Sequence, residues 1–169
     1  MKKHELTDDT ITVGGRILHR IKALKSFSDV EEGDLGGYVE KEDNLDHSGE
    51  AWVSGNARVY GNAWVYGDAR VYGNARVYGD ARVSGDARVS GDARVSGEND
   101  YAAAKGFGRN YRTTTFFRLQ DGGIGVRCGC FYGTLDEFRE KVKETHEESK
   151  LGKEYLMLAD LMEYKFKDE

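Results

Sequence analysis

Long apolar runs are missing from this chain of 169 residues. No stretch approaches the roughly 20 apolar residues of a membrane-spanning helix, and residues 1–6 lack the apolar segment of a signal peptide. An excess of basic residues is missing as well, since the formal net charge is −5. These absences argue against a membrane partner and against a general nucleic-acid binder, and we expect a cytoplasmic protein.

Cysteine is scarce, and both cysteines lie in the segment Cys128-Gly129-Cys130. A predicted strand here would direct both thiols to one face. Two thiolates are half of a tetrahedral zinc site, and the chain contains no second pair. We therefore interpret them as reduced structural thiols and predict no metal and no cofactor; a zinc ion that bridges two subunits is the alternative.

A six-residue repeat is what the chain has in abundance. The pattern Gly-Asn/Asp/Glu-Ala-Arg/Trp-Val-Tyr/Ser runs eight times without interruption from Gly49 to Ser96. Its Ala and Val project to the same side of an extended strand, and Gly followed by Asn or Asp favours a tight corner. Each hexad is therefore predicted to form one short strand and one corner, and successive hexads to stack into a solenoid with Ala and Val inside.

The repeat resembles the hexapeptide repeat of left-handed parallel β-helix proteins. In that superfamily three hexads form one triangular coil, and three subunits commonly assemble side by side. The resemblance implies a mainly β fold and a homotrimer. The flanking segments 34–45 and 125–138 resemble hexapeptide-repeat proteins of Firmicutes phages and prophages, which have no established activity. This second resemblance implies a phage- or prophage-encoded protein that acts in the host-cell cytoplasm.

The outer wall of such a solenoid would carry ladders of residues eighteen apart, about 4.8 Å from one another. Acidic and basic ladders lie side by side, which relieves repulsion and keeps the wall soluble. Aromatic residues are concentrated in the early hexads. We predict that they form an oligomer interface; ladders that stiffen a sheet, or a site for another molecule, are the alternatives. The predicted interface residues are Trp52, Tyr60, Trp64, Tyr66, Tyr72 and Tyr78.

The repeats divide the chain into residues 1–48, 49–98 and 99–169. In the first part, a β-hairpin about Gly14-Gly15 is predicted to cap the solenoid. The residues predicted to line an imperfect first coil are Leu35, Val39 and Leu45.

The third part is predicted to be a small α+β module with the order ββαα. Residues 101–108 are interpreted as a linker, followed by a hairpin with strands over 112–119 and 124–132. A capping box at Thr134 predicts the start of one helix, and a second is predicted from about Lys153 to Phe166.

One segment of this module, residues 105–112, combines basic and aromatic side chains with glycines. This composition is typical either of a loop that binds phosphate and stacks bases, or of a flexible linker. The predicted binding residues are Lys105, Arg109, Tyr111 and Arg112.

Catalytic residues are harder to find. Acyltransferases of the hexapeptide-repeat superfamily typically use a histidine near a subunit interface and an inserted loop or helical tail, and related zinc carbonic anhydrases use three coil histidines. Here no loop interrupts the hexads. All four histidines lie outside them, at His4, His19, His47 and His146. We predict no catalytic residue, with His47 as the best candidate if one exists.

The predicted function is therefore a non-catalytic binding protein that counters a host defence. It would mask a host protein such as a CRISPR effector, or trap a nucleotide signal. The alternative is an acyltransferase-like enzyme with its active site between subunits.

Overall fold

A computed structural model describes residues 1–167 and shows a β-solenoid of about three turns, preceded by an N-terminal hairpin and followed by a four-stranded sheet with two helices. Neither helix within these residues has the length and apolar character that crossing a membrane requires. The mainly β solenoid fold predicted from the hexads is confirmed. Its left-handed sense stays a prediction.

The solenoid consists of eight two-residue strands, one from each hexad. Parallel pairing joins residues eighteen apart, such as Trp52 with Arg70 and Arg70 with Arg88, so the predicted ladders are present. Every Val of the strands is fully buried, and the hexad Ala residues are at most 1% exposed. The strands are β4 (Trp52–Val53), β5 (Arg58–Val59), β6 (Trp64–Val65), β7 (Arg70–Val71), β8 (Arg76–Val77), β9 (Arg82–Val83), β10 (Arg88–Val89) and β11 (Arg94–Val95).

Outside the strand-to-strand ladders, the hydrogen bonds between coils run from an N–H of one coil to a carbonyl of the following coil. The N–H of Trp52 donates to the carbonyl of Ala69 at 3.1 Å, and the N–H of Arg70 donates to the carbonyl of Ala87 at 2.9 Å. At these positions carbonyl groups lack coil partners at the N-terminal end of the solenoid, and N–H groups lack them at the C-terminal end. Buried backbone groups need partners, so each end must be closed by groups of opposite type.

At the N-terminal end the missing donors come from side chains as well as from backbone. The hairpin of β1 (His4–Val13) and β2 (Arg16–Ala23) turns at Gly14-Gly15, as predicted, and continues through β3 (Leu35–Val39) into β5. A 3₁₀ turn at Glu42–Asn44 places the Asn44 amide 2.8 Å from the Ala63 carbonyl. Among residues 1–167 no strand pairs with β4 on this side; instead the fully buried Lys3 ammonium donates to the Ala51 carbonyl at 2.6 Å.

The imperfect first coil is present in part. Val39 and Leu45 are fully buried, and Leu45 forms an isolated bridge with Val65. The prediction for Leu35 is wrong, because this side chain is 59% exposed at the start of β3. Leu35 and Val39 would share a face of a regular strand, but Leu35 is the first residue of β3, and the register with β2 is irregular between Leu35 and Tyr38.

After a second 3₁₀ turn (Glu98–Asp100), the C-terminal unit has four strands rather than two: β12 (Tyr101–Phe107), β13 (Arg112–Arg118), β14 (Ile124–Cys128) and β15 (Phe131–Thr134). The linker predicted over 101–108 is therefore wrong. The strand predicted over 124–132 is broken by a turn at Gly129, whose φ of 58° lies in the left-handed region.

The two helices follow the sheet as expected. Helix α1 (Leu135–His146) begins after Thr134, whose hydroxyl accepts from the Glu137 N–H at 3.2 Å in the predicted capping box. Helix α2 (Lys150–Lys165) begins slightly earlier than predicted and is capped by Ser149. Both helices pack on one face of the sheet.

Strand β13 joins the two cores of the molecule. Phe117 is fully buried against the solenoid, and its neighbour Phe116 is fully buried among the helices on the other face of the strand. The Thr115 hydroxyl accepts from the Arg88 N–H at 2.9 Å and so satisfies a donor at the C-terminal end of the solenoid. The C-terminal sheet therefore closes the solenoid, while its other face, with the two helices, forms a cavity.

Candidate functional site

A cavity of about 320 Å³ lies in the C-terminal unit, between two turns of the sheet and the two helices. The turn from β12 to β13 contributes Arg109 and Arg112, and the turn from β14 to β15 contributes Cys128, Cys130 and Phe131. The remaining lining residues that matter here come from the helices: Phe138, Lys141, Thr145, His146 and Tyr155.

Two glycines bring polar groups close to the backbone at this site. A Cβ atom on Gly129 would overlap the Arg112 guanidinium, and one on Gly108 would overlap the Tyr155 hydroxyl. Both glycines have φ in the left-handed region, at 58° and 78°. The positive φ favours glycine at both positions, and the Arg112 guanidinium packs over Gly129.

Three cationic side chains face this cavity without an acidic partner. Within residues 1–167, no carboxylate forms an ion pair with Arg109, Arg112 or Lys141, and the cavity lining contains neither Asp nor Glu. Some other basic side chains of the C-terminal unit are paired, such as Arg118 with Asp100 at 3.1 Å and Arg139 with Asp160 at 2.9 Å. A concave site lined by charge of one sign raises the local concentration of the opposite sign.

Aromatic rings form the inner wall. Phe138 makes edge-to-face contacts with Tyr155, at 5.6 Å between centroids, and with Phe116, at 6.0 Å. Phe131, half-buried at the margin, lies 5.7 Å from Phe138. The cavity therefore offers an apolar surface next to its three cations, which is the usual composition of small-molecule sites.

The Tyr155 hydroxyl remains protonated at physiological pH. Burial, followed by the neighbouring Cys128 thiol at 3.7 Å, raises the pKa of Tyr155 to about 12. Cys128 in turn accepts from the Thr114 hydroxyl at 3.2 Å. Thr114, Cys128 and Tyr155 thus form a hydrogen-bonded cluster at the cavity.

The four predicted binding residues do not all converge. Arg109 and Arg112 line the cavity. Lys105 lies outside it and pairs with Asp86 of the solenoid at 2.8 Å. Tyr111, with a φ of 49° and 69% exposed, faces an open groove beside the solenoid wall.

Two important lining residues were missed in the sequence. Lys141 is one position before the buried Val142 of α1, and Tyr155 belongs to the apolar face of α2. For Lys141, the one available signal in the sequence is its position at the edge of the apolar face of α1. For Tyr155 the neighbouring sequence gives no signal, because its place at the cavity depends on contacts with Gly108 and Cys128.

The six aromatic residues of the predicted interface lie on different faces of the solenoid. Trp52 is only 4% exposed because Phe27 of the N-terminal part covers it, so its ring is not available to a partner. Tyr72 lies against the Arg127 guanidinium, 5.4 Å from its ring. The remaining four form two stacked pairs, Tyr60 with Tyr78 at 5.3 Å and Trp64 with Tyr66 at 4.0 Å.

The histidine singled out as the best catalytic candidate belongs to the N-terminal cap. His47 stacks on the fully buried His4 at 4.2 Å, and its Nδ1 accepts from the Lys3 N–H at 3.1 Å. Burial lowers the pKa of both imidazoles, that of His4 to about 4. These contacts give His47 a structural role in the N-terminal cap.

The expectation that both cysteine thiols share one face of a strand is wrong. Cys128 ends β14 and is half-buried, whereas Cys130 follows the Gly129 turn and is exposed. Both are reduced.

Comparison with known proteins bears on the solenoid alone. A search of curated proteins found no match. Three segments match the family model described as the YdcK beta solenoid repeat: 51–67, 69–85 and 75–88. None of them reaches the cavity. The hexads between residues 51 and 88 are thus similar to the YdcK beta solenoid repeat.

Proposed function

We propose that this protein is a non-catalytic binding protein that captures a small anionic molecule in the cavity of its C-terminal unit. The convergence of Arg109, Arg112 and Lys141 on a cavity without a carboxylate supports this proposal most directly. Three like charges repel one another when the cavity holds only water, and an anion relieves that repulsion. Arginine also binds phosphate and carboxylate groups through two parallel hydrogen bonds.

The biological role that fits this activity is interference with a host defence by a phage- or prophage-encoded protein in the host cytoplasm. Of the two routes, trapping a small signal suits a concave site better than masking a CRISPR effector, which requires a broad contact surface. An acyltransferase is less well supported, because His47 is engaged in the N-terminal cap.

A homotrimer remains part of the proposal. The stacked pairs Trp64–Tyr66 and Tyr60–Tyr78 are half-buried on separate faces of the solenoid, where contact with neighbouring subunits would remove more of their apolar surface from water. Light scattering on the full chain tests this directly, and a monomeric mass at micromolar concentration would contradict it.

Anion binding is tested with pyrophosphate as the probe, by calorimetry and by thermal unfolding of the full chain. We expect pyrophosphate to raise the melting temperature, because a ligand of the folded state stabilises it by about 2.7 kcal/mol at 100 times its Kd. Arg109→Ala and Lys141→Ala should each weaken binding about tenfold, the loss expected for one charge-assisted contact.

The matched control is Lys150→Ala, which removes an exposed lysine outside the cavity. This variant should bind pyrophosphate like the unmodified protein. Equal affinity in all four proteins, or no binding at millimolar pyrophosphate, would contradict the proposal.

A further inference from the structure

We infer that the anion captured in this cavity is a mononucleotide, whose phosphate lies among the three cations and whose base lies on the aromatic wall. The inference rests on the proposed function and adds the class of ligand to it. It follows from the lining residues, which bring cationic and aromatic side chains together in one cavity.

The charged side of the cavity suits a phosphate. The Arg112 guanidinium packs over Gly129, and Arg109 lies in the same turn. A guanidinium presents a planar fork of N–H donors that can bind two phosphate oxygens. Lys141 adds a third positive charge from α1.

The apolar side suits a planar ring. Phe131 is half-buried at the cavity margin next to Phe138, so the exposed part of its side chain can contact a planar ring. Each of the nucleobases has a π face and can stack on an aromatic ring. Asn110 and Thr145, which also line the cavity, offer donors and acceptors to the edge of a base.

The size of the cavity sets the length of the ligand. A volume of about 320 Å³ is near the lower limit of ligand sites in proteins, which hold roughly 300–1,000 Å³. One base, one sugar and one phosphate suit this space. A strand of nucleic acid needs an extended basic groove instead. The groove beside the solenoid is not uniformly basic, because Glu50, Asp68 and Asp86 line it together with arginine and lysine side chains.

The test is calorimetry on the full chain with four probes: adenosine 5′-monophosphate, adenosine, ribose 5-phosphate and pyrophosphate. We expect the nucleotide to bind at least tenfold more tightly than adenosine or ribose 5-phosphate, because only it engages both sides of the cavity. Phe131→Leu should weaken nucleotide binding at least fivefold and leave pyrophosphate binding unchanged. Arg109→Ala should weaken both.

Cys130 supplies a second readout that does not depend on a variant. Its exposed thiol lines the cavity, so bound nucleotide should slow its alkylation by iodoacetamide at least threefold, measured by mass spectrometry. Circular dichroism of Phe131→Leu and Arg109→Ala would show whether either variant is unfolded.

The outcomes separate the two proposals. Ribose 5-phosphate or pyrophosphate binding as tightly as the nucleotide would overturn the mononucleotide inference and leave anion capture standing. Failure of all four probes to bind, with no protection of Cys130, would overturn both.

Discussion

The N-terminal cap should make this protein sensitive to mild acid, and His4 should be the main cause. His4 is fully buried, neither of its ring nitrogens has a hydrogen-bond partner, and its ring is stacked on His47. Burial, followed by the nearby His47 and Lys3, lowers the pKa of His4 from 6.5 to about 4. The charged groups Lys2, Glu42 and Asp46 also lie near the pair.

The sign and size of the effect follow from proton linkage. The unfolded chain binds the His4 proton more tightly than the folded chain, so the contribution to stability is complete above pH 6.5 and is lost as the pH falls towards 4. At about pH 5 the two pKa values correspond to a loss of about 2 kcal/mol. The loss approaches about 3 kcal/mol once the pH is below the folded-state pKa.

The perturbation is His4→Phe, which keeps a flat ring on His47 and removes both unpartnered nitrogens. Urea unfolding of the two proteins at about pH 7.5 and about pH 5 gives the difference that His4 alone contributes, because titrating groups common to both proteins cancel. We expect the variant to lose about 2 kcal/mol less on acidification than the unmodified protein. Equal losses in both proteins would refute the assignment of acid sensitivity to His4.

Three further predictions concern the solenoid and its closure. Phe117→Ala should lower the free energy of unfolding in urea by about 3–5 kcal/mol, because it leaves a cavity where β13 packs on the end of the solenoid. A loss below about 1 kcal/mol would contradict that role. Gly49 and Gly85 share a left-handed φ, at 70° and 65°, so Gly85→Ala should cost about 1–2 kcal/mol. Gly49→Ala should cost clearly more in thermal unfolding, because its Cβ would also overlap the backbone of the next coil. Arg76→Ala, on the outer ladder, should cost about 0–1 kcal/mol and leave pyrophosphate binding by calorimetry unchanged; lost binding with an unchanged melting temperature would identify the wall as the recognition surface.

The solenoid could be predicted from the sequence because each of its contacts repeats. The register of eighteen residues and the buried Ala and Val positions follow from the spacing within a hexad, and the structure confirms both. The ends could not be predicted in the same way. The burial of Lys3 is explained by its hydrogen bond to the Ala51 carbonyl. This carbonyl is open to a side-chain donor because β4 is an edge strand, which the sequence does not reveal.

The C-terminal unit was predicted less well because its signals are weak or ambiguous. Residues 102–104 are three alanines without alternation, so β12 has no polar and apolar pattern to reveal it. The split between β14 and β15 depends on the backbone at Gly129. At the site, Arg109 and Arg112 could be recognised as basic residues in a segment that also contains aromatic residues. The ion pair of Lys105 with Asp86 and the position of Lys141 at the cavity depend on contacts between segments far apart in the chain.

The repetition of the same hydrogen bonds from coil to coil makes the length of the molecule adjustable. The closing groups, such as the Lys3 ammonium and the Thr115 hydroxyl, bind backbone atoms that every coil presents in the same positions. An insertion of eighteen residues within the hexads would therefore add one coil without changing either closure. It would move the cavity about 4.8 Å farther from the N-terminal hairpin, so the number of hexads sets the separation between the two ends.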